Sequence, residues 1–188
     1  MRRHNLIVHL AAALAAMLFT ATAHASDKPV VASAKLGNAA EINRLIAAGL
    51  DPNEADEDNL TALNWAAYNC ELDAMRALVQ HGAQIDPHAS KAGWTPLMNA
   101  AARCSAEVAA YLIAHGANVN AHSTDGGYTP LMYAAEKSHL DVTELLLKKG
   151  ADINDICDDK RTALDFADNH PETGISALLK AHGARNGN

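Results

Sequence analysis

A chain of 188 residues, 49% hydrophobic but only 4% aromatic, suits one domain held by alanine- and leucine-rich helix packing. Its net charge of −7 excludes an electrostatic grip on nucleic acid or an anionic membrane and favours a basic protein surface as partner. Three cysteines cannot all be paired within one chain.

In chain order, residues 1–25 read as a cleaved secretory signal. Arg2 and Arg3 give a basic start, Leu6 to Phe19 an apolar run broken only by His9, and Ala23-His24-Ala25 a small-x-small cleavage site. The run is short for a bilayer span. Export to a bacterial periplasm is therefore expected, with a mature chain from Ser26. The leader removes two arginines and no acid, leaving 13 Lys and Arg against 22 Asp and Glu, a net charge of −9.

From Lys28 onward one pattern recurs. The residues that open a helix are Lys28, Thr61, Thr95, Thr129 and Thr162, at steps of 33 or 34. Gly49, Gly82, Gly116, Gly150 and Gly183 each follow 21 residues later, where a left-handed cap ends a second helix. The units fall at about 28–53, 54–86, 87–120, 121–154 and 155–184, with a short, fraying tail at 185–188.

The first unit has Ser33, Glu41 and Arg44 where inner units are apolar or small. The last has Asp168, Ser176 and Lys180. Each end has become polar on a different side, as terminal repeats without a neighbour require.

The fourth unit is the most regular. Gly127 to Asn154 has Thr129-Pro130-Leu131, the pair Ala134 and Ala135, a turn at Glu136 to His139, a leucine-rich helix through Leu145, Leu146 and Leu147, and a Gly-Ala-Asp-x-Asn close. This resembles the ankyrin repeat, and the match covers essentially the whole mature chain. The resemblance implies an α-solenoid, an ankyrin repeat array of about five helix-turn-helix units with hairpin-like finger loops. The loops Asp51–Leu60, Asp86–Trp94, Asn120–Tyr128 and Asn154–Arg161 are rich in turn-forming residues. By resemblance they project from the helices and, with the first helices, line a concave surface that binds protein partners.

On that surface the residue before each helix opener is Leu60, Trp94, Tyr128 or Arg161, a row repeating at about 10 Å. It reads either as a contact stripe, being rich in hot-spot residue types, or as aromatic cover for the finger bases. Tyr68, Asn69, Arg103, Glu136 and Lys137, at the ends of first helices, extend it. Trp65, Tyr133 and Phe166 share another register and read as packing. The acidic runs Asp51, Glu54, Asp56, Glu57, Asp58 and Asp152, Asp155, Asp158, Asp159 lack calcium-loop spacing. They read as solvated loops or as steering for a basic partner.

Cys70 and Cys104 occupy the same turn position in adjacent units. An oxidising compartment invites a disulfide, whereas stacked repeats hold equivalent atoms about 10 Å apart and a disulfide needs Cα atoms at about 4.4–6.8 Å. Both outcomes stay open, and pairing would leave Cys157 alone.

His81, His115 and His182 precede closing glycines, and His88 and His122 are equivalent finger residues. No closely spaced Cys/His set marks a metal site. Ser138, His139 and Asp141 lie on the ordinary helix-turn-helix pattern, and no phosphate loop or paired-acid cleft stands out. No catalytic residue, metal or cofactor is expected.

The reading is a monomeric periplasmic scaffold that binds a protein partner. Resemblance to small exported bacterial ankyrin proteins adds two specific roles: an immunity protein that neutralises a periplasm-acting toxin, and an accessory to periplasmic oxidative-stress defence. A thiol or metal redox role is a further alternative.

Overall fold

The computed structural model describes residues 28–87 and 92–187. The signal segment, His88 and part of the Asp86–Trp94 finger lie outside the described residues. Five helix pairs follow one another: α1 Pro29–Lys35 and α2 Ala39–Ala47; α3 Ala62–Tyr68 and α4 Leu72–Gln80; α5 Pro96–Arg103 and α6 Ala106–Ala114; α7 Pro130–Glu136 and α8 Leu140–Lys148; α9 Ala163–Ala167 and α10 Ile175–Ala181. The first helices stack in order, α1 on α3, α3 on α5, α5 on α7 and α7 on α9.

The helix openers work as caps. The hydroxyls of Thr61, Thr95 and Thr129 accept from the backbone N–H groups of Asn64, Met98 and Met132 at 3.2–3.3 Å, satisfying donors that a helix start leaves orphaned. Pro96 and Pro130 follow at the first helical position, where a missing N–H costs nothing. The small residues Ala66, Ala67, Ala100, Ala101, Ala134 and Ala135 are fully buried and let neighbouring helices approach closely. Leu63, Leu97, Leu131 and Leu164 fill the core between them and the second helices, which contribute Ile42, Leu78, Leu112, Leu146 and Leu179.

Between units the chain forms tight hairpins. In the first, the Asp56 N–H donates to Leu60 O and the Ala62 N–H to Glu54 O, with an isolated antiparallel bridge between Ala55 and Thr61. Neighbouring fingers are tied together: Thr124 N–H donates to Ala92 O at 3.0 Å, and Asp158 N–H to Gly126 O at 3.0 Å. Below them, Asn53, Asp86, Asn120 and Asn154 hold equivalent places. Each accepts a backbone N–H from the next unit, from Gln84, Asn118, Asp152 and Arg185 respectively, at 2.7–2.9 Å.

The ends differ in part from the sequence reading. Ser33 is not on an open polar face: it is fully buried, and its hydroxyl donates to Pro29 O of its own helix. Glu41 and Arg44 pair with each other along α2. At the other end Asp168 gathers Ser176 Oγ at 2.6 Å and Lys180 Nζ at 3.1 Å.

The tail is docked rather than fraying. Gly187 N–H and Asn186 Nδ2 donate to the Asp165 carboxylate at 2.8 and 2.7 Å, and Thr162 Oγ1 donates to Arg185 O at 2.8 Å. The opposing costs and gains are legible in Asp165. Burial pushes its pKa up, but bonds from Thr162, Gly187 and Asn186 prevail and hold the carboxyl below its ordinary value.

Candidate functional site

The two aromatic registers interleave. Trp94, at a finger base, lies with its ring centroid 4.3 Å from that of Tyr133, which belongs to α7 of the next unit. Tyr128 sits 5.5 Å from Tyr133 and 5.6 Å from Phe166 on α9, and the Arg161 guanidinium stacks 3.8 Å above Phe166. Finger residues thus lean across the stack onto the helix residues. Trp94, Tyr128 and Arg161 are half-buried, while Tyr133 and Phe166 are buried beneath them. The finger row is therefore cover and exposed edge at once.

Burial pushes the Tyr133 hydroxyl up to about 12, with Tyr128, Glu136 and Asp125 adding to the rise against a bond with Ser123. Tyr128 is raised as well, first by burial and then by Cys157 and Asp159. Both phenols therefore stay neutral donors at physiological pH.

The helix register, four residues after each opener, reads Ala32, Trp65, Asn99, Tyr133 and Phe166, so Asn99 puts an amide between units that carry rings, and the first unit has alanine. Where the ring is missing the concave face opens into a groove of about 310 Å³, lined by Leu60, Asn64, Trp65, Tyr68, Ala92, Trp94 and Asn99. Asn99 is only 4% exposed, and its Nδ2 donates to Thr95 O at 3.4 Å. Asn64 Nδ2 donates to Trp94 O at 3.0 Å and so fastens the finger base to α3.

The wall beside α3 is built from charge and ring together. Trp65 Nε1 donates to Asp56 Oδ2 at 2.7 Å, while Asp56 Oδ1 accepts from the N–H groups of Asp58 and Leu60, fixing finger and ring in one network. Trp65 and Tyr68 meet edge to face at 5.5 Å. Lys35 Nζ lies 4.3 Å from the Trp65 centroid, and Arg103 stacks 3.9 Å over Tyr68 while its Nε donates to Tyr68 O at 3.0 Å.

Thus the structure gathers Leu60, Tyr68, Trp94 and Arg103 around the groove. Tyr128 and Arg161 lie further along the same face. Glu136 and Lys137 form their own exposed pair at 3.3 Å at the end of α7. Sequence reasoning missed Asn64 and Asn99 and favoured packing over recognition for Trp65. The signal for Asn99 was its place in the register of rings.

Many acidic finger residues are occupied within the fold. Glu54 Oε2 accepts the Val30 N–H at 2.9 Å and caps α1, and Asp51 and Asp152 close turns two residues on. Asp155 takes His122 Nε2 at 2.8 Å. Glu57, Asp58, Asp158 and Asp159 remain exposed at fingertips. Among the described residues no group of three His, Cys, Asp or Glu side chains is placed to hold a metal.

Cys70 and Cys104 form a disulfide with Cα atoms 5.5 Å apart, and Cys157 is a buried free thiol. Uniform stacking would forbid the bond, but the turns are not uniform. At the shared position Gly37, Cys70 and Ser138 are left-handed, with φ of 67°, 62° and 65°. Their turns close as Schellman motifs, in which Asn38, Glu71 and His139 donate N–H bonds back to Ser33, Ala66 and Ala134. Cys104 is extended instead, with φ −117° and ψ 174°. Helix α5 runs one residue longer to Arg103, and the Cys104 N–H continues the helical ladder to Ala100 O. The changed backbone brings the third turn towards the second. On the far side Arg76 of α4 spans to Glu107 of α6 at 3.9 Å.

A family model for ankyrin repeats in three copies matches residues 30–123, and another for ankyrin repeats in many copies matches 112–167. Similar curated proteins include Palmitoyltransferase AKR1 of Yarrowia lipolytica, 37% identical over 68 residues, or 36% of this chain and 10% of that protein. Palmitoyltransferase Hip14 of Drosophila melanogaster is 32% identical over 68 residues, covering 36% of this chain and 11% of its own length. Human Palmitoyltransferase ZDHHC13 is 31% identical over 72 residues, 38% of this chain and 12% of its own. The chain thus spans about a tenth of the length of these relatives.

Proposed function

Because the chain belongs to the ankyrin repeat family, we propose that it is a binding scaffold, not an enzyme, and that it seats a protein partner on its concave face at the groove where Asn99 interrupts the row of rings. The groove carries this reading. It joins apolar and aromatic walls to two buried amides, Asn64 and Asn99, with Lys35 and Arg103 stacked on its rings, the composition of an interface hot spot. The exposed fingertip carboxylates Glu57, Asp58, Asp158 and Asp159 favour a basic surface on the partner, steering it in and losing strength with salt.

We place the protein in an oxidising, exported compartment, a bacterial periplasm. Two features support this: the basic, apolar and small-residue order of residues 1–25, and the Cys70–Cys104 disulfide. The acidic excess also favours the antidote role among the specific ones, since a basic toxin is the surface such a charge suits.

The test is a pull-down of the tagged full chain from periplasmic extract, with the recovered protein then titrated against purified variants. Trp94→Ala is expected to weaken the complex by about 2 kcal/mol, roughly 30-fold. Wild-type affinity in folded Trp94→Ala and Leu60→Ser variants would remove the groove from the function.

A further inference from the structure

We propose that the Cys70–Cys104 disulfide is a redox latch for the groove: it holds the Tyr68–Arg103 wall in place, and its reduction releases that wall. The inference rests on the groove reading above and adds regulation to it.

Its basis is the exceptional third turn. Three turns at this position share a left-handed residue and a Schellman closure; the fifth is rebuilt as a 3-10 turn at Pro171–Thr173, and Cys104 departs by adopting an extended backbone that carries its sulfur to Cys70. Neither cysteine lines the groove, but each is adjoined by a residue that does or that braces it. Cys70 lies two residues after Tyr68, and Cys104 directly follows Arg103. Arg103 depends on the extended turn, because it is the last helical residue of α5, whereas its equivalents Leu36, Asn69 and Lys137 are helix caps with ψ near 0°. With the bond open, residue 104 is free to take the left-handed turn of its three counterparts. Arg103 then becomes a cap residue, and its stack on Tyr68 and its bond to Tyr68 O are lost.

The chemistry is ordinary thiol–disulfide exchange with a dithiol reductant. Its thiolate attacks Cys70 Sγ, which is half-buried while Cys104 is buried. The Sγ–Sγ bond breaks, and Cys104 Sγ leaves with the electron pair and takes a proton. The reductant's second thiol then displaces Cys70 Sγ, leaving two protein thiols and an oxidised reductant.

The chain's two tryptophans, Trp65 and Trp94, both line the groove, so its indole resonances report on it alone. Full-chain protein is compared by NMR before and after dithiothreitol, with circular dichroism to show that helix content is retained. The expected result has four parts: thiol titration rises from one to three groups, the Arg103–Tyr68 side-chain NOE disappears, the Trp65 indole shifts, and reoxidation restores all three. A Cys70→Ser/Cys104→Ser variant should match the reduced spectrum, and if it fails to fold, the chemically reduced wild type still decides.

Two results would overturn the latch: a disulfide that resists millimolar dithiothreitol in the folded protein, or three free thiols with the NOE and indole signals unchanged. No partner enters the experiment, so failure to capture one would count against the binding function and leave the latch standing.

Discussion

Among the described residues, Asp86 is the one place where the ladder of inter-repeat bonds is chemically wrong. Asn120 and Asn154, one and two units on, each use both ends of the amide. The oxygen accepts a backbone N–H, and Nδ2 donates to the closing glycine carbonyl of the next unit, Gly150 or Gly183, at 3.4 Å. Asp86 keeps the first bond, accepting Asn118 N–H through Oδ2 at 2.7 Å. Its Oδ1 is buried without a partner, because at the place of Nδ2 a carboxylate offers a second acceptor towards a carbonyl. A buried unsatisfied acceptor costs about 1–3 kcal/mol, and trading the charged acceptor at Asn118 for a neutral one returns part of that. Asp86→Asn should therefore stabilise the oxidised protein by about 1 kcal/mol, and a domain of this size converts that into a rise of about 2–4 °C in Tm. Thermal unfolding followed by circular dichroism at pH 7 measures it, and Asn120→Asp provides the reverse substitution, expected to lower Tm by a similar amount. An unchanged or lower Tm for Asp86→Asn would refute the reasoning, as would a harmless Asn120→Asp.

Asn99→Phe restores a ring to the interrupted register; it should fill the groove, reduce acrylamide quenching of Trp65 and Trp94, and weaken partner binding more than 10-fold while leaving the fold intact. Unaltered binding in that variant would move the contact elsewhere on the face. Acid should undo the C-terminal end. The pKa of Asp168 is held low by Ser176, Asn186 and Lys180. That of Asp165 is held low despite burial. Folded values below the unfolded ones mean that this stabilisation is present at neutral pH and is lost as pH falls through and below about 4. The NMR resonance of the Gly187 N–H, which donates to Asp165, should therefore move from its bonded position between pH 5 and pH 3; an identical Gly187 signal at both values would contradict the sign. Intact-mass analysis of exported protein should find a chain starting at Ser26, and retention of residues 1–25 would argue against the leader.

The array and its period were legible in the sequence because each unit repeats the same caps, alanines and closing glycine, and these are local in cause. What was not legible depends on how one unit leans on the next. The rows Trp94–Tyr128 and Tyr133–Phe166 are separate registers along the chain. They become one surface because each finger crosses to a neighbouring helix, Trp94 resting on a ring 39 residues away. The cysteine pairing was undecidable for a related reason. An estimate of about 10 Å assumes identical turns, and nothing in the residue type of Cys104 declares that it abandons the left-handed conformation which Cys70 accepts. Asp86, by contrast, stood in plain view in a register of asparagines, and only its buried oxygen gives that substitution a consequence.

Two of the irregularities sit together at the third unit. Asn99 and Cys104 both lie on or directly after α5. In a solenoid each unit meets only its neighbours, so a local departure changes one interface and leaves the rest of the array as a rigid frame. That makes the junction of the second and third units the natural place for a site. The hairpin bond from the Asp56 N–H fixes Leu60 and the Asn64 amide fixes Trp94, while helix α5 supplies the gap in the rings and the disulfide beside it. A mutation in the regular leucines would lower stability without regard to ligand, whereas Asn99, Arg103 and the two cysteines should separate binding from folding. If a scan of the whole concave face instead found its binding losses spread evenly over all five units, the concentration of irregularity at α5 would have no functional meaning.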